Sequence, residues 1–340
     1  MKRRRHGSSK PLAVYHQELL PAIKEFLPSR GLPLRSADKR RRWTDRLLVI
    51  MAVLISWRSE PLLTDGFESC WQTLTDLYPT RRRAGHSYEG FRKALLRRSA
   101  DLLEAVIAAL RKAMPSVAGG YWKIGGWLVM GVDGSRVNCP RTAANEAGFR
   151  CAGKPGTAPQ QFVTTLLHVG TGLIWAWRRG GGKEAERHHL RQMLPTLPEG
   201  SLLLADAGFT GYELLRELVD AGHQLLIRAG GNVRLLKKLG FYVREDADVV
   251  YLWPQDRRGE EPLVLRLVVL HDGRKAVHLL TSVLEASALT DRQAGRMYRR
   301  RWGLEVFYRS LKQTMQKHTL RSRTPQGAAM ELDWALVGLW

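Results

Sequence analysis

Between residues 127 and 228 the chain lays down short apolar runs in an order that few folds accept. Residues 127–133 read as a strand ending in an acid. Residues 162–169 and 173–177 read as two more strands joined by the turn Gly170-Thr171-Gly172, which suggests a hairpin. A helical segment over 184–194 leads into a second acid-ending strand at 201–206, then a helix at 212–221 and a strand at 224–228. Three strands therefore come first, followed by helix, strand, helix and strand. Such a chain calls for a mixed sheet with helices on its faces.

That order is the order of a ribonuclease H-like fold. Past Gly240, runs at 249–253, 263–270 and 276–283 are strand-like, the last two joined by the hairpin signal Asp272-Gly273, so 241–284 reads as a β-rich insertion. Residues up to about 118 look helical instead, with apolar segments at 19–27, 47–57, 67–77 and 91–114, and Gly119-Gly120 marks a boundary. The expected organisation is an N-terminal helical region over 1–120, followed by an α/β domain over 121–340 that the insertion interrupts.

Charge narrows the partner. The formal net charge is +22, and residues 1–120 hold 23 of the 54 Lys and Arg against 11 of the 32 Asp and Glu, so both halves are basic. This suits a long polyanion, with nucleic acid ahead of an anionic membrane. Arg40-Arg41-Arg42 and Arg81-Arg82-Arg83, at helix edges, suit phosphate contact. The longest apolar run, 47–55, is too short for a bilayer, and the basic start Lys2-Arg3-Arg4-Arg5 lacks an apolar signal core. No membrane role is expected. Cys70, Cys139 and Cys151 are too scattered for a zinc site or a disulfide framework and fit a reducing cytoplasm.

The segment 298–312 carries the chemistry. Tyr298, Arg301, Glu305 and Lys312 are three, four and seven residues apart, which places them within an arc of about 60° on a helix. Leu304, Phe307 and Leu311 form the opposite, apolar stripe. A capping pattern, Thr290-Asp-Arg-Gln293, opens this helix. A solvated face of i,i+4 pairs explains the spacing equally well when it is taken alone. Asp133 and Asp206 alter that balance, because side chains at strand ends emerge into a crevice. Either aspartate by itself reads as a turn residue. Three carboxylates brought together repel unless a cation intervenes, and oxygen-only ligands select hard ions.

With these residues in place, the chain resembles the DDE transposases of bacterial insertion sequences, in the subgroup with a Tyr-Arg-Glu-Lys signature around the third acid. The 298–312 segment matches that signature without a gap. Gly131-Val-Asp133-Gly-Ser, Ala205-Asp206-Ala-Gly-Phe-Thr and the β insertion match its context, over about residues 85–335. The resemblance implies that Asp133, Asp206 and Glu305 ligate two magnesium ions, with manganese as an alternative. It implies that Tyr298, Arg301 and Lys312 hold DNA phosphates. The partners it implies are the terminal inverted repeats and target DNA, met by a homodimer in the cytoplasm on nucleoid DNA. Trp302 suits stacking on a displaced base, or plain packing.

The remaining signals are weaker. His188 and His189 read as surface or DNA-facing, and 178–183 as a Gly-rich basic loop near DNA. Residues 332–340 read as an unfinished helix of a truncated copy, with Trp334, Leu336, Leu339 and Trp340 expected to form an exposed apolar stripe. The leading expectation is a transposase. A DNA-binding protein without catalysis and a structure-specific nuclease on the same fold stand as alternatives.

Overall fold

The computed structural model of the protein describes Pro21 and residues 42–77, 84–151, 156–229, 241–254, 256–272 and 275–340. The basic start, the helix read over 19–27, Arg40, Arg41 and Arg81-Arg82-Arg83 lie outside the described residues. These residues pack as two units, one holding those up to Met114 together with Met330–Gly338, the other Pro115–Ala329 with Leu339–Trp340.

In the first unit, α1 (Asp45–Ser56) starts at Thr44, whose hydroxyl accepts from the Leu47 amide. Its residues Leu48 to Leu54 are consecutively buried, so this helix is apolar on every side and sits inside the unit. α2 (Leu63–Leu77) and α3 (Tyr88–Ala118) accompany it, with Trp43, Phe67 and Phe91 in mutual ring contact at 5.1–6.2 Å. The last helix, α9 (Pro325–Gly338), divides between the units. Contrary to the expected exposed stripe, Leu332, Trp334, Ala335 and Leu336 are buried, and Leu339 and Trp340 are half-buried. The reason lies within the first unit. The Trp334 indole donates to Ser99 Oγ at 3.1 Å, and the Trp57 indole donates to the Gly338 carbonyl at 2.8 Å.

In the second unit the described strands form one nine-stranded sheet, in the order β3-β2-β1-β4-β5-β9-β8-β7-β6. β1 (Val129–Asn138), β2 (Gln160–His168) and β3 (Leu173–Gly181) are an antiparallel meander. β4 (Leu202–Ala205) and β5 (Gln224–Arg228) then run parallel to β1. That is the mixed, ribonuclease H-like sheet expected from the sequence. Between the strands lie α4 (Ala143–Phe149), α5 (Glu186–Met193) and α6 (Tyr212–Asp220). The insertion contributes β6 (Phe241–Asp246), β7 (Val249–Pro254), β8 (Leu263–Asp272) and β9 (Lys275–Thr281). It extends the main sheet, because β9 pairs antiparallel with β5.

Alternate residues of the strands feed two cores, one on each face. Met130, Val132, Leu203, Ala205, Leu225 and Ile227 meet α5 and α6. Val129, Leu202, Leu204, Leu226, Val268 and Leu279 meet α7 (Asp291–Arg300). α7 opens on the capping box between Thr290 and Gln293 that the sequence suggested. α8 (Trp302–Arg309) follows and continues into a π-turn over Ser310–Thr314.

Two strands run further than read from sequence. β1 continues through Asp133 to Asn138 because β2 pairs with it along that whole length. β3 includes Arg178, Arg179, Gly180 and Gly181, which were read as a loop. Gly180 is tolerated there because Glu184 folds back over it: its carboxylate accepts from the Gly181 amide at 2.9 Å and fills the space of a Gly180 side chain.

Candidate active site

The register of the sheet builds the site. In the parallel pair β1–β4, Gly131 faces Leu204. Two residues further along each strand stand Asp133 and Asp206, level with one another where β4 has ended and β1 has not. Asp133 is four-fifths buried, with one oxygen accepting from the Gly134 amide at 2.9 Å. Asp206 caps the short 3-10 turn Ala207–Phe209, its Oδ1 accepting from the Gly208 amide at 2.8 Å. Asp206 thus makes the turn contact of the plainer reading, whereas Asp133 stands within β1, paired with Thr165 of β2, and is no turn residue. Each keeps a second carboxylate oxygen outside these contacts.

Glu305 reaches this place through close packing of α8. Leu304 is buried against β1 at Gly131, where an added Cβ would come within 2.8 Å of Leu304 Cδ1. Leu304, Phe307 and Leu311 form the buried stripe anticipated from their spacing. The backbone departs from one straight helix, since α7 ends at Arg300, α8 begins at Trp302 and Lys312 lies in the π-turn. Arg301, at the joint, spans two acids. Its Nη1 is 3.9 Å from Asp133 Oδ2 and its Nη2 is 3.5 Å from Glu305 Oε1. The Arg301 guanidinium lies 5.7 Å from the centre of the Tyr298 ring. Lys312 Nζ donates to Ser135 Oγ at 2.7 Å, two residues along β1 from Asp133. Trp302 and Val306 are exposed beside this cluster.

A fourth carboxylate, Glu186, comes from the first turn of α5. An added Cβ at Gly134 would lie 2.8 Å from Glu186 Oε1, and one at Gly208 would lie 3.7 Å from Oε2. Its carboxylate therefore occupies the space between two glycines, each adjoining one of the aspartates. Burial, then the charges of Asp206 and Asp133, push its pKa up to about 6. Asp133 is also raised, first by burial and further by Asp206 and Glu305, with the Gly134 amide and Arg301 opposing. Burial lowers Lys312, with Asp133 opposing, and raises Tyr298. Sequence reasoning did not single out Glu186. Its one trace in the sequence is its place one turn before His189 and Leu190 and two before Met193, the buried face of its helix, which by itself marks no acidic site. His189 itself is buried, not surface or DNA-facing, its ring held by Thr164 at 3.0 Å and Glu184 at 2.9 Å. His188 is exposed and meets Gln192.

The donors are all oxygens, the kind a hard divalent ion takes, and the Arg301 guanidinium stands between Asp133 and Glu305. Among the described residues, no three acid, imidazole or thiol groups stand close enough together to enclose a metal. No described helix is long and apolar enough to cross a membrane.

Residues 128–339, more than half of the chain, match the family described as the transposase DDE domain. The chain is 30% identical over 226 residues to transposase InsG for insertion sequence element IS4 of Escherichia coli, covering 62% of this chain. It spans about half the length of that curated relative (50%). Among solved structures it resembles the piggyBac transposase in a synaptic complex with hairpin DNA, at 12% identity and a TM-score of 0.46, covering 94% of this chain and 70% of that one.

Proposed function

The chain belongs to the transposase DDE domain family, and from that premise we propose that it is a DNA transposase of the subgroup with the Tyr-Arg-Glu-Lys signature. It binds the terminal inverted repeats of its own element and cuts them in a divalent-metal-dependent reaction. The observation that carries this reading is the gathering of Asp133 and Asp206, level on neighbouring strands, with Glu305 linked to Asp133 through Arg301.

In this reading Asp133, Asp206 and Glu305 hold the magnesium ions, and Glu186 adds negative charge at their edge. The bound ions supply Lewis acidity at the scissile phosphodiester. The protein's own groups do the rest. Arg301 turns its guanidinium from the acids to a phosphate, bidentately, and Lys312 gives a point charge beside β1. Tyr298 supports Arg301 from beneath with its ring. Trp302, already exposed, stacks on a base drawn from the duplex. Water attack on the phosphodiester at the element's end breaks its P–O3′ bond, freeing the 3′-hydroxyl and leaving a 5′-phosphate on the flanking strand; that hydroxyl then attacks a target phosphodiester, joining to its phosphorus as the target's own 3′-oxygen leaves as a hydroxyl. We assign the helical region 1–120 to DNA binding, where Arg42, Lys93 and Arg97 line one groove. We assign the working form to a homodimer on DNA in the cytoplasm.

The test compares labelled DNA carrying the element's ends with unrelated duplexes and with flap or junction DNA, each with magnesium. Cleavage confined to end-bearing DNA is expected, lost separately in Asp133→Ala and Asp206→Ala. Cutting of flaps without regard to sequence would point to a structure-specific nuclease instead. A second reading, DNA binding without catalysis, draws on Arg301 standing among the acids. It requires salt-sensitive binding and no strand breakage with any divalent ion.

A further inference from the structure

Tyr308 stands one turn beyond Glu305 on the same side of α8, and its ring is almost wholly buried. Its hydroxyl lies 2.8 Å from the Asp133 carbonyl oxygen, 3.2 Å from the Val163 carbonyl oxygen and 3.0 Å from Thr165 Oγ1. Asp133 and Thr165 face each other across β1 and β2. One phenol therefore ties α8 to the backbone of the very residue whose side chain forms the acidic site. A phenylalanine would fill the same volume, so core packing alone does not call for the oxygen. Leu304 against Gly131 is apolar and non-directional, and permits sliding. A hydrogen bond fixes height and rotation.

We propose that Tyr308 is a positioning residue whose hydroxyl sets the separation of the Glu305 and Asp133 carboxylates, and through it the affinity of the site for a divalent cation. This rests on the reading of those carboxylates as a metal site. The Tyr308 proton is donated to the Asp133 or Val163 carbonyl, and Thr165 can donate in turn to the phenol oxygen. The phenol contacts no reacting group.

The experiment follows thermal unfolding of the full chain, without DNA, against manganese concentration. The wild type gains Tm with a definite half-saturating concentration. Tyr308→Phe is expected to fold, and to need about tenfold more manganese for the same gain. Leu265→Ala, a core truncation in β8, lowers Tm and leaves the half-saturating concentration unmoved. An unmoved value in Tyr308→Phe overturns the proposal. Should that variant fail to fold, Tyr308→Met, which also lacks the oxygen bonded to the Asp133 carbonyl, enters the same titration, and the same two outcomes decide. A wild type that manganese does not stabilise overturns this proposal together with the metal reading. A wild type that responds beside an unchanged Tyr308→Phe overturns this proposal alone.

Discussion

At the scale of single residues the site is a contest between like charges. Glu186 and Asp133 both have raised pKa values, mainly through burial. A carboxyl whose folded pKa exceeds its unfolded one binds its proton more tightly when folded, so stability is lost as it ionises. Without divalent ions, Tm should therefore fall as pH rises from the ordinary glutamate range through about 6. Glu186→Gln, which cannot ionise, should flatten that fall. A wild-type curve that rises through this window instead would contradict the charge assignment. The places of Asp206 at the end of β4 and of Glu305 on α8 could be read from sequence, because strand and helix patterns mark those positions. Glu186 could not be, since one acid among charged helix residues declares itself only when Gly134 of β1 and Gly208 of the turn after β4 lie around its carboxylate.

At the scale of elements, the approach of α8 to β1 decides whether the acids meet. Gly131 makes room for Leu304, so Gly131→Ala should cost about 1–3 kcal/mol in urea unfolding through overpacking. Paired with Leu304→Val the loss should shrink below the sum, which a double-mutant cycle measures. Additive losses would show that the two do not share this space. The buried Arg266 of β8 is a second tie: it donates to the Val283 carbonyl at 3.1 Å, to the Leu289 carbonyl, and to Asp291 at the start of α7 at 2.8 Å. Arg266→Leu should destabilise by about 2–3 kcal/mol, because two buried carbonyls lose their donor. Strand order, the capping box at Thr290 and the stripe of α8 could be read from local patterns. The full length of β1 and the strand character of 178–181 could not. Both follow from pairing with β2, a tertiary partner that overrides local glycine and charge signals. The break at Arg301 and the π-turn around Lys312 escape an ideal helical count, which takes 298–312 as one unbroken helix.

At the scale of the whole molecule, the proposed function asks net charge to bring the chain to DNA. A chain of net charge +22 should bind DNA with affinity that falls by about a thousandfold or more between 50 and 200 mM salt. Binding that ignores salt would remove phosphate contact as its basis. The burial of 332–337 was illegible because the partners of that apolar run, Ser99 and the α1 end at Trp57, lie more than two hundred residues away in sequence. The proposed function turns on Glu305 joining Asp133 and Asp206 in one metal-dependent centre. Single-turnover cleavage of end-bearing DNA in magnesium by wild type and Glu305→Gln, with binding read in the same samples, tests this. Binding is expected to be unchanged and cleavage slowed by at least about a hundredfold in the variant. Glu305→Gln cleaving at the wild-type rate would contradict it.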